Sequence, residues 1–231
     1  MRDQAAPRAA LAPLASVSAD AWRGLAGRAI EPNGYYLPDW EMAVNASARE
    51  RTDASAICAF GDNRLTGLLP VVPIWRAYRI PLPALVSADP YGTLCTPLLD
   101  REQAEAAALE LMRQAHAAGA HALTLRDVAL DGKRIALVGT ASDGEAARAR
   151  LLQSYLRAAL DATRNADEVL QEALGAKKLK ELRRLRNRLA DHGAVHFGVA
   201  RTPDEVASAV ETFLALEASG WKARRGTALA L

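Results

Sequence analysis

The sequence predicts a mixed α/β fold of the α+β kind, a mixed β-sheet sandwiched by helices. Three observations carry that prediction. Two apolar runs, residues 54–60 and 65–74, flank the tight polar turn Gly61-Asp62-Asn63-Arg64, the pattern of a β-hairpin. Stretches of helical periodicity lie before and after that hairpin. The order is helix, helix, strand, strand, helix, strand, helix, strand, then two helices, a strand and a helix, which mixes the elements too evenly for a single-class fold. Half of the 231 residues (50%) are hydrophobic, enough for one large or two small domains, and with aromatics at 5% the core falls to Leu, Val and Ala.

Each element follows from local signals. Residues 1–17, with Pro7 and Pro13, read as a disordered tail. Ser18 caps a first helix carrying Trp22, Leu25 and Ile30, and Pro32-Asn33-Gly34 signals a turn. Pro38 opens a second short helix with Trp40, Met42 and Val44. Pro70 and Pro73 demote the far end of the second hairpin strand to an edge or an exit. Residues 75–99, rich in turn formers, read as an ordered loop with short strands and no helix. In it Asp89-Pro90 and Tyr91-Gly92 mark a tight turn, with Tyr91 either a turn residue or the lining of a pocket.

Asp100 is expected to cap a helix over residues 101–118, with Gln103 at the capping-box position and Gly119 at the end. Residues 122–128 and 151–160 read as strands and 133–138 as a short helix. Residues 167–191 are helical with a break at Gly175, and 195–199 form a strand. Thr202-Pro203-Asp204-Glu205 is a capping box opening a helix to about residue 218, with the apolar face Val206, Val210, Phe213 and Leu214. A first domain over 18–165 and a second unit over 166–231 follow from this division.

Several function classes recede. The formal net charge is only +2, so the chain as a whole is not a polybasic nucleic-acid binder. Cys58 and Cys95 have no metal-ligand spacing and read as small apolar core residues, in keeping with a reducing cytoplasm. No apolar run reaches the roughly 20 residues of a membrane span. His116, His121, His192 and His196 suggest no ligand set, and there is no nucleophile elbow, Walker A sequence or dinucleotide fingerprint.

Two features concentrate chemistry. Lys177, Lys178, Lys180, Arg183, Arg184, Arg186 and Arg188 stand against one acid, Glu181. That segment therefore carries +6, and since the total is +2 the remainder carries −4. Leu182, Leu185 and Leu189, with Leu179, give it an apolar stripe. It reads either as a docking surface for an anionic ligand, such as a coenzyme A phosphate, a nucleotide-linked sugar or an acidic polymer, or as a solvated helix face; nucleic-acid binding is disfavoured because aromatics are not interleaved. The second feature runs from Glu217 to Leu229, where Trp221-Lys222 follows the helix-ending Gly220. Trp221 is expected to pack back on the helix, Lys222, Arg224 and Arg225 to line a loop, and Gly226 to allow close backbone approach.

Taken together, the run from Lys177 to Leu189, the Asp191-His-Gly193 turn, the helix ending Phe213-Leu-Ala-Leu-Glu217-Ala-Ser-Gly220-Trp221-Lys222, and Gly226-Thr227-Ala228 resemble the start of the acetyltransferase domain of the CelD/BcsL-like family, linked to bacterial cellulose synthesis. That family belongs to the GNAT superfamily and is similar in layout to the aminoacyltransferases of peptidoglycan cross-bridges. Upstream, Tyr36, Pro38 and Trp40 and the stretch from Gly67 to Pro70 also look right, so the resemblance covers residues 18–231. It implies a GNAT-like first domain followed by the start of a second GNAT-like lobe that continues beyond this chain. It also implies acyl transfer from acetyl-CoA to an amine or hydroxyl, with Arg183, Arg184, Glu217, Trp221, Lys222, Gly226 and Thr227 bordering the acceptor cleft, no metal, and the main acetyl-CoA site outside these residues. Glu217 is the one acid within the Trp-Lys motif; no residue stands out as general base. A non-catalytic GNAT-like module for an anionic ligand or partner protein is the alternative, and the apolar face of residues 203–218 is a candidate surface for association.

Overall fold

The computed structural model describes residues 10–47, 53–88, 91–130, 149–158, 160–161 and 163–229. The chain divides into two units, Met1–Ser154 and Tyr155–Leu231. The short helix expected over 133–138 and the Asp89-Pro90 pair lie outside the described residues.

Six strands make one mixed sheet among the described residues of the first unit: β1 (Ala12–Pro13), β2 (Ser55–Gly61), β3 (Arg64–Pro73), β4 (Ala84–Ser87), β5 (Leu98–Leu99) and β6 (Ala122–Thr124). Their order is β1-β2-β3-β4-β6, with β5 sharing β3. Neighbours are antiparallel except β4 and β6, which run parallel. Helices α1 (Ala19–Arg28) and α2 (Pro38–Ser47) come between β1 and β2, α3 (Ile74–Tyr78) between β3 and β4, and α4 (Ala104–Ala117) before β6.

The hairpin turn forms because Asp62 (φ 49°) and Asn63 (φ 59°) both accept left-handed backbone, the type I′ geometry whose twist matches the strands. Eight successive residues of β3 are buried, so both of its faces are covered, and both α1 and α4 pack on it. Gly67 faces α4, where a side chain at that position would meet Ala107 and Leu111.

Pro70 was expected to push its strand to an edge, and this is corrected: β3 continues to Pro73 in the interior of the sheet. In an antiparallel ladder a residue's N and carbonyl point to the same side. On that side β5 pairs Gly67 and Leu68 and β4 begins at Val71, so Pro70 sits at their junction, where its carbonyl accepts the Ala88 N–H at 2.8 Å.

Three further expectations are corrected. Residues 10–17 are not tail: Ala12 and Pro13 pair with β2, and Leu14 is buried in the core because the sheet edge offers it partners. The loop after β3 does contain a helix, the single turn α3, which Pro73 launches and Arg79 closes in the left-handed region (φ 58°). α4 begins at Ala104 and Gln103 makes no side-chain cap, because Asp100 is drawn elsewhere. Its carboxylate is fully buried and accepts from Arg28 Nε at 2.6 Å and the Glu102 N–H at 3.0 Å, and lies 3.1 Å from an Arg64 guanidinium nitrogen. Burial pushes the Asp100 carboxyl up, but the Arg28 and Glu102 hydrogen bonds and the Arg64 charge outweigh it and hold the group below its ordinary range.

The signals around Pro32 to Trp40 lead to a pinned corner. Trp22 Nε1 donates to the Tyr36 carbonyl at 2.8 Å, the Tyr36 hydroxyl to the Ala88 carbonyl at 3.2 Å, and Asn33 Nδ2 to the carbonyls of Leu94 and Thr96 at 3.1 and 3.0 Å. All three side chains are buried, and each buried polar group is thereby satisfied. Cys95 is buried and Cys58 half-buried, and neither is in a disulfide.

In the second unit, Asn165 caps α5 (Ala166–Ala190), accepting the Asp167 and Glu168 N–H groups at 2.9 and 3.3 Å. The expected break is present, since Gly175 has non-helical backbone (φ 69°, ψ 165°). Thr202 and Glu205 form the expected capping box of α6 (Pro203–Ser219), with Pro203 in its first turn. A short helix, α7 (Trp221–Arg224), follows. The strands expected over 151–160 and 195–199 are absent from the described residues: no neighbouring chain completes a ladder there, and Leu152 and Phe197 stand in solvent. α5 and α6 carry no buried residue, and Val206, Val210 and Phe213 are exposed.

Candidate functional site

The Trp-Lys motif folds into a closed turn at the α6–α7 junction. Gly220 stops α6 with an extended backbone (ψ −160°), which reverses the chain into the single turn of α7. Gly226 (φ 66°) then takes the left-handed position that ends α7. The Gly226 N–H donates to the Ala223 carbonyl at 3.0 Å, and the Thr227 N–H to the Lys222 carbonyl, also at 3.0 Å.

Glu217 organises this turn from the last part of α6. Its carboxylate is ion-paired with Lys222 Nζ through one oxygen. The other oxygen accepts the Leu229 N–H at 2.8 Å. The side chain is only 6% exposed. The Lys222 hydrogen bond, joined by the Leu229 amide, holds the Glu217 carboxyl below its usual range despite desolvation. A carboxylate so engaged is a poor proton acceptor at neutral pH. Its chemistry is that of a clasp joining the end of α6 to the segment after Gly226.

Trp221 was expected to pack back on α6. It is instead 56% exposed, and its ring is covered on one side by the Arg225 guanidinium, 5.2 Å from the centroid. Thr227 donates its hydroxyl to the Lys222 carbonyl at 3.4 Å. The structure therefore brings together Glu217, Lys222, Gly226 and Thr227 and leaves the Trp221 ring facing outward.

Arg183 and Arg184 lie exposed on α5, and among the described residues no hydrogen bond or ion pair joins them to the motif. A small apolar cavity among the described residues, lined by Leu69, Leu99, Leu111, Leu123 and Leu125 among others, includes none of the seven expected site residues. Tyr91 is exposed. No cluster of three or more metal-ligating side chains occurs among the described residues, and no described helix is long and apolar enough to cross a membrane.

Sequence reasoning missed two members of this arrangement. The Leu229 contribution is a backbone amide, which no residue type announces. Arg225 was placed with the loop, but its stacking on Trp221 is set by the four-residue spacing around α7, a helical i, i+4 relation that the sequence did display. Comparison with protein-family models, with curated proteins and with solved structures found no match to this chain.

Proposed function

We propose that this chain belongs to an acyl-CoA-dependent acyltransferase of the GNAT type, acting on an amine or hydroxyl acceptor in exopolysaccharide synthesis, and that its described residues serve the acceptor side of that reaction. One observation carries the reading. The first unit runs strand, two helices, a hairpin, a single helical turn, a third antiparallel strand, the two-residue β5, the helix α4, and a strand parallel to β4. That is the order expected of a GNAT-like lobe, and β4–α4–β6 supplies the parallel pair beside which such a lobe would hold its donor. The Glu217–Lys222 clasp and the Trp221 loop supply the motif on which the resemblance rests.

Acetyl-CoA itself does not fit the described residues. A thioester carbonyl needs free amide donors where β4 and β6 part, but there Ser87 Oγ accepts the Arg126 N–H at 3.0 Å and the Cys95 N–H donates to the Asp127 carbonyl at 3.1 Å, closing the wedge. A pyrophosphate needs a helix N-terminus free of acids. The first turns of α1, α2, α4, α5 and α6 all carry Asp or Glu, and Asp100 lies just ahead of α4. No step through the acyl donor is therefore assigned to these residues. The same closure favours the second reading, a non-catalytic GNAT-like module that binds an anionic ligand or a partner protein.

Calorimetric titration with acetyl-CoA separates the two. The longest natural protein containing this chain is expected to bind acetyl-CoA and to release free thiol only when an amine or saccharide acceptor is added, whereas the 231 residues alone give no heat. A longer protein that neither binds acetyl-CoA nor releases thiol removes the transferase reading and leaves the module. Heat from the 231-residue chain alone removes the placement of the donor site elsewhere.

A further inference from the structure

Four of the seven cations of α5 share one side of the helix, and Arg183, also exposed, lies about 60° beyond them. At about 100° per residue, Lys177, Lys180, Arg184 and Arg188 fall within an arc of roughly 80°, one helical turn apart along an axial length of about 16 Å. Leu179, Leu182, Leu185 and Leu189 occupy the other side. All four row residues are exposed, and among the described residues no ion pair engages any of them. The two cations that lie on the leucine side are the ones with partners: Lys178 pairs with Glu181 at 2.9 Å, and the Arg186 guanidinium sits 5.7 Å from the Phe197 ring centroid.

Unneutralised like charges one turn apart repel and cost the helix stability unless something covers them. The row starts just past the Gly175 kink, so it belongs to one straight helical segment and presents a line rather than a patch. A line of cations matches a single extended chain bearing one anion per repeat. A duplex spreads its phosphates over two strands, and single-stranded nucleic acids are held by stacking on aromatics as well as by charge. The row contains no aromatic, and the Phe197 ring stands beside Arg186, on the leucine side. A bilayer would be met by the leucine side with the row turned away from it. The observations favour a polyanion that brings charge without bases.

We infer that the Lys177–Lys180–Arg184–Arg188 row is a docking strip for an extended acidic glycan with one carboxylate per sugar. The inference does not depend on acyl transfer, because its assay contains no acyl donor, so the two can fail separately.

The test is fluorescence anisotropy of the 231-residue chain with a labelled oligogalacturonate of about four sugars, comparable in reach to the row. Binding is expected at low salt and weakens roughly fiftyfold between about 50 and 200 mM salt if all four cations are neutralised. Methyl esterification of the carboxylates abolishes it. The variant Lys177→Gln/Lys180→Gln/Arg184→Gln/Arg188→Gln loses about tenfold or more in affinity, while Lys178→Gln/Arg186→Gln changes it by less than about twofold. Circular dichroism checks that helix content is kept, and Lys177→Gln/Arg184→Gln replaces the fourfold variant if it is not. Absence of binding at low salt overturns the inference, as does equal loss in the two variants. Displacement of the glycan by a lower concentration of a single-stranded oligonucleotide overturns it in favour of a nucleic-acid partner.

Discussion

Replacing Asp100 by alanine removes one carboxylate that holds three elements together. Arg28 at the end of α1, Arg64 at the start of β3 and the turn before α4 all converge on it, and the Arg28 link spans 72 residues of chain. The carboxylate is fully buried, while Arg28 and Arg64 are 25% and 43% exposed. Breaking a fully buried pair costs about 3–5 kcal/mol, mostly as the penalty on the charge left behind. Here both guanidiniums reach water once released, which reduces that penalty, whereas the Glu102 N–H loses its acceptor. The expected loss is about 2–3 kcal/mol for Asp100→Ala. Asp100→Asn keeps an acceptor for the Glu102 N–H but offers no charge to the arginines, and costs about 1–2 kcal/mol. Urea unfolding in a Trp221→Phe background lets fluorescence report on the first unit through buried Trp22. The pH dependence has a definite sign. Because the folded carboxyl titrates below its unfolded value of about 3.9, its contribution is complete above that pH and disappears as pH falls through the folded pKa. The gap between the parent chain and Asp100→Ala is thus constant from neutral pH down to about pH 4 and closes below it. A loss under about 0.5 kcal/mol at neutral pH, or a gap that persists in strong acid, would refute the reasoning.

Two other substitutions probe separate features. Gly67→Ala places a methyl 3.0 Å from the Ala59 Cβ and 3.3 Å from the Ala107 Cβ, so thermal unfolding should show a loss of about 1–3 kcal/mol that Ala59→Gly partly restores. Glu217→Gln cuts the ion pair to Lys222, and amide exchange at Leu229 and Thr227 should become several-fold faster while the first unit melts unchanged. In the parent chain the same protection should hold above the ordinary glutamate range and fall as pH drops through the depressed carboxyl pKa.

The parts of the fold legible in the sequence are those decided within a few residues. The Asp62-Asn63 turn, the Ser18 cap, the Gly175 break and the Thr202–Glu205 box each carry their own local chemistry and are in place. What was misread depends on distant partners. Ala12 and Pro13 look like tail until β2 supplies a ladder, and Pro70 looks like an exit until β4 and β5 are seen to divide the edge of β3. Asp100 looks like a helix cap because nothing near it announces Arg28. Residues 151–160 and 195–199 have strand composition, but composition cannot create the neighbouring chain that a strand requires. The same division holds at the motif. Glu217, Lys222 and Gly226 are close in sequence and were found together, whereas the direction of the Trp221 ring was set by packing that no pattern of residue types encodes.

The position of Pro70 has a consequence for the chain before it is folded. Among the described residues, 65–72 form the longest buried run, and during synthesis they emerge ahead of β4 and β5, the strands that later pair with them. Such a stretch is the kind of segment that self-associates into cross-β stacks. A proline in its middle interrupts every window of six residues, so the residue that lies quietly at a seam in the finished sheet also acts as a gatekeeper while the protein is being made.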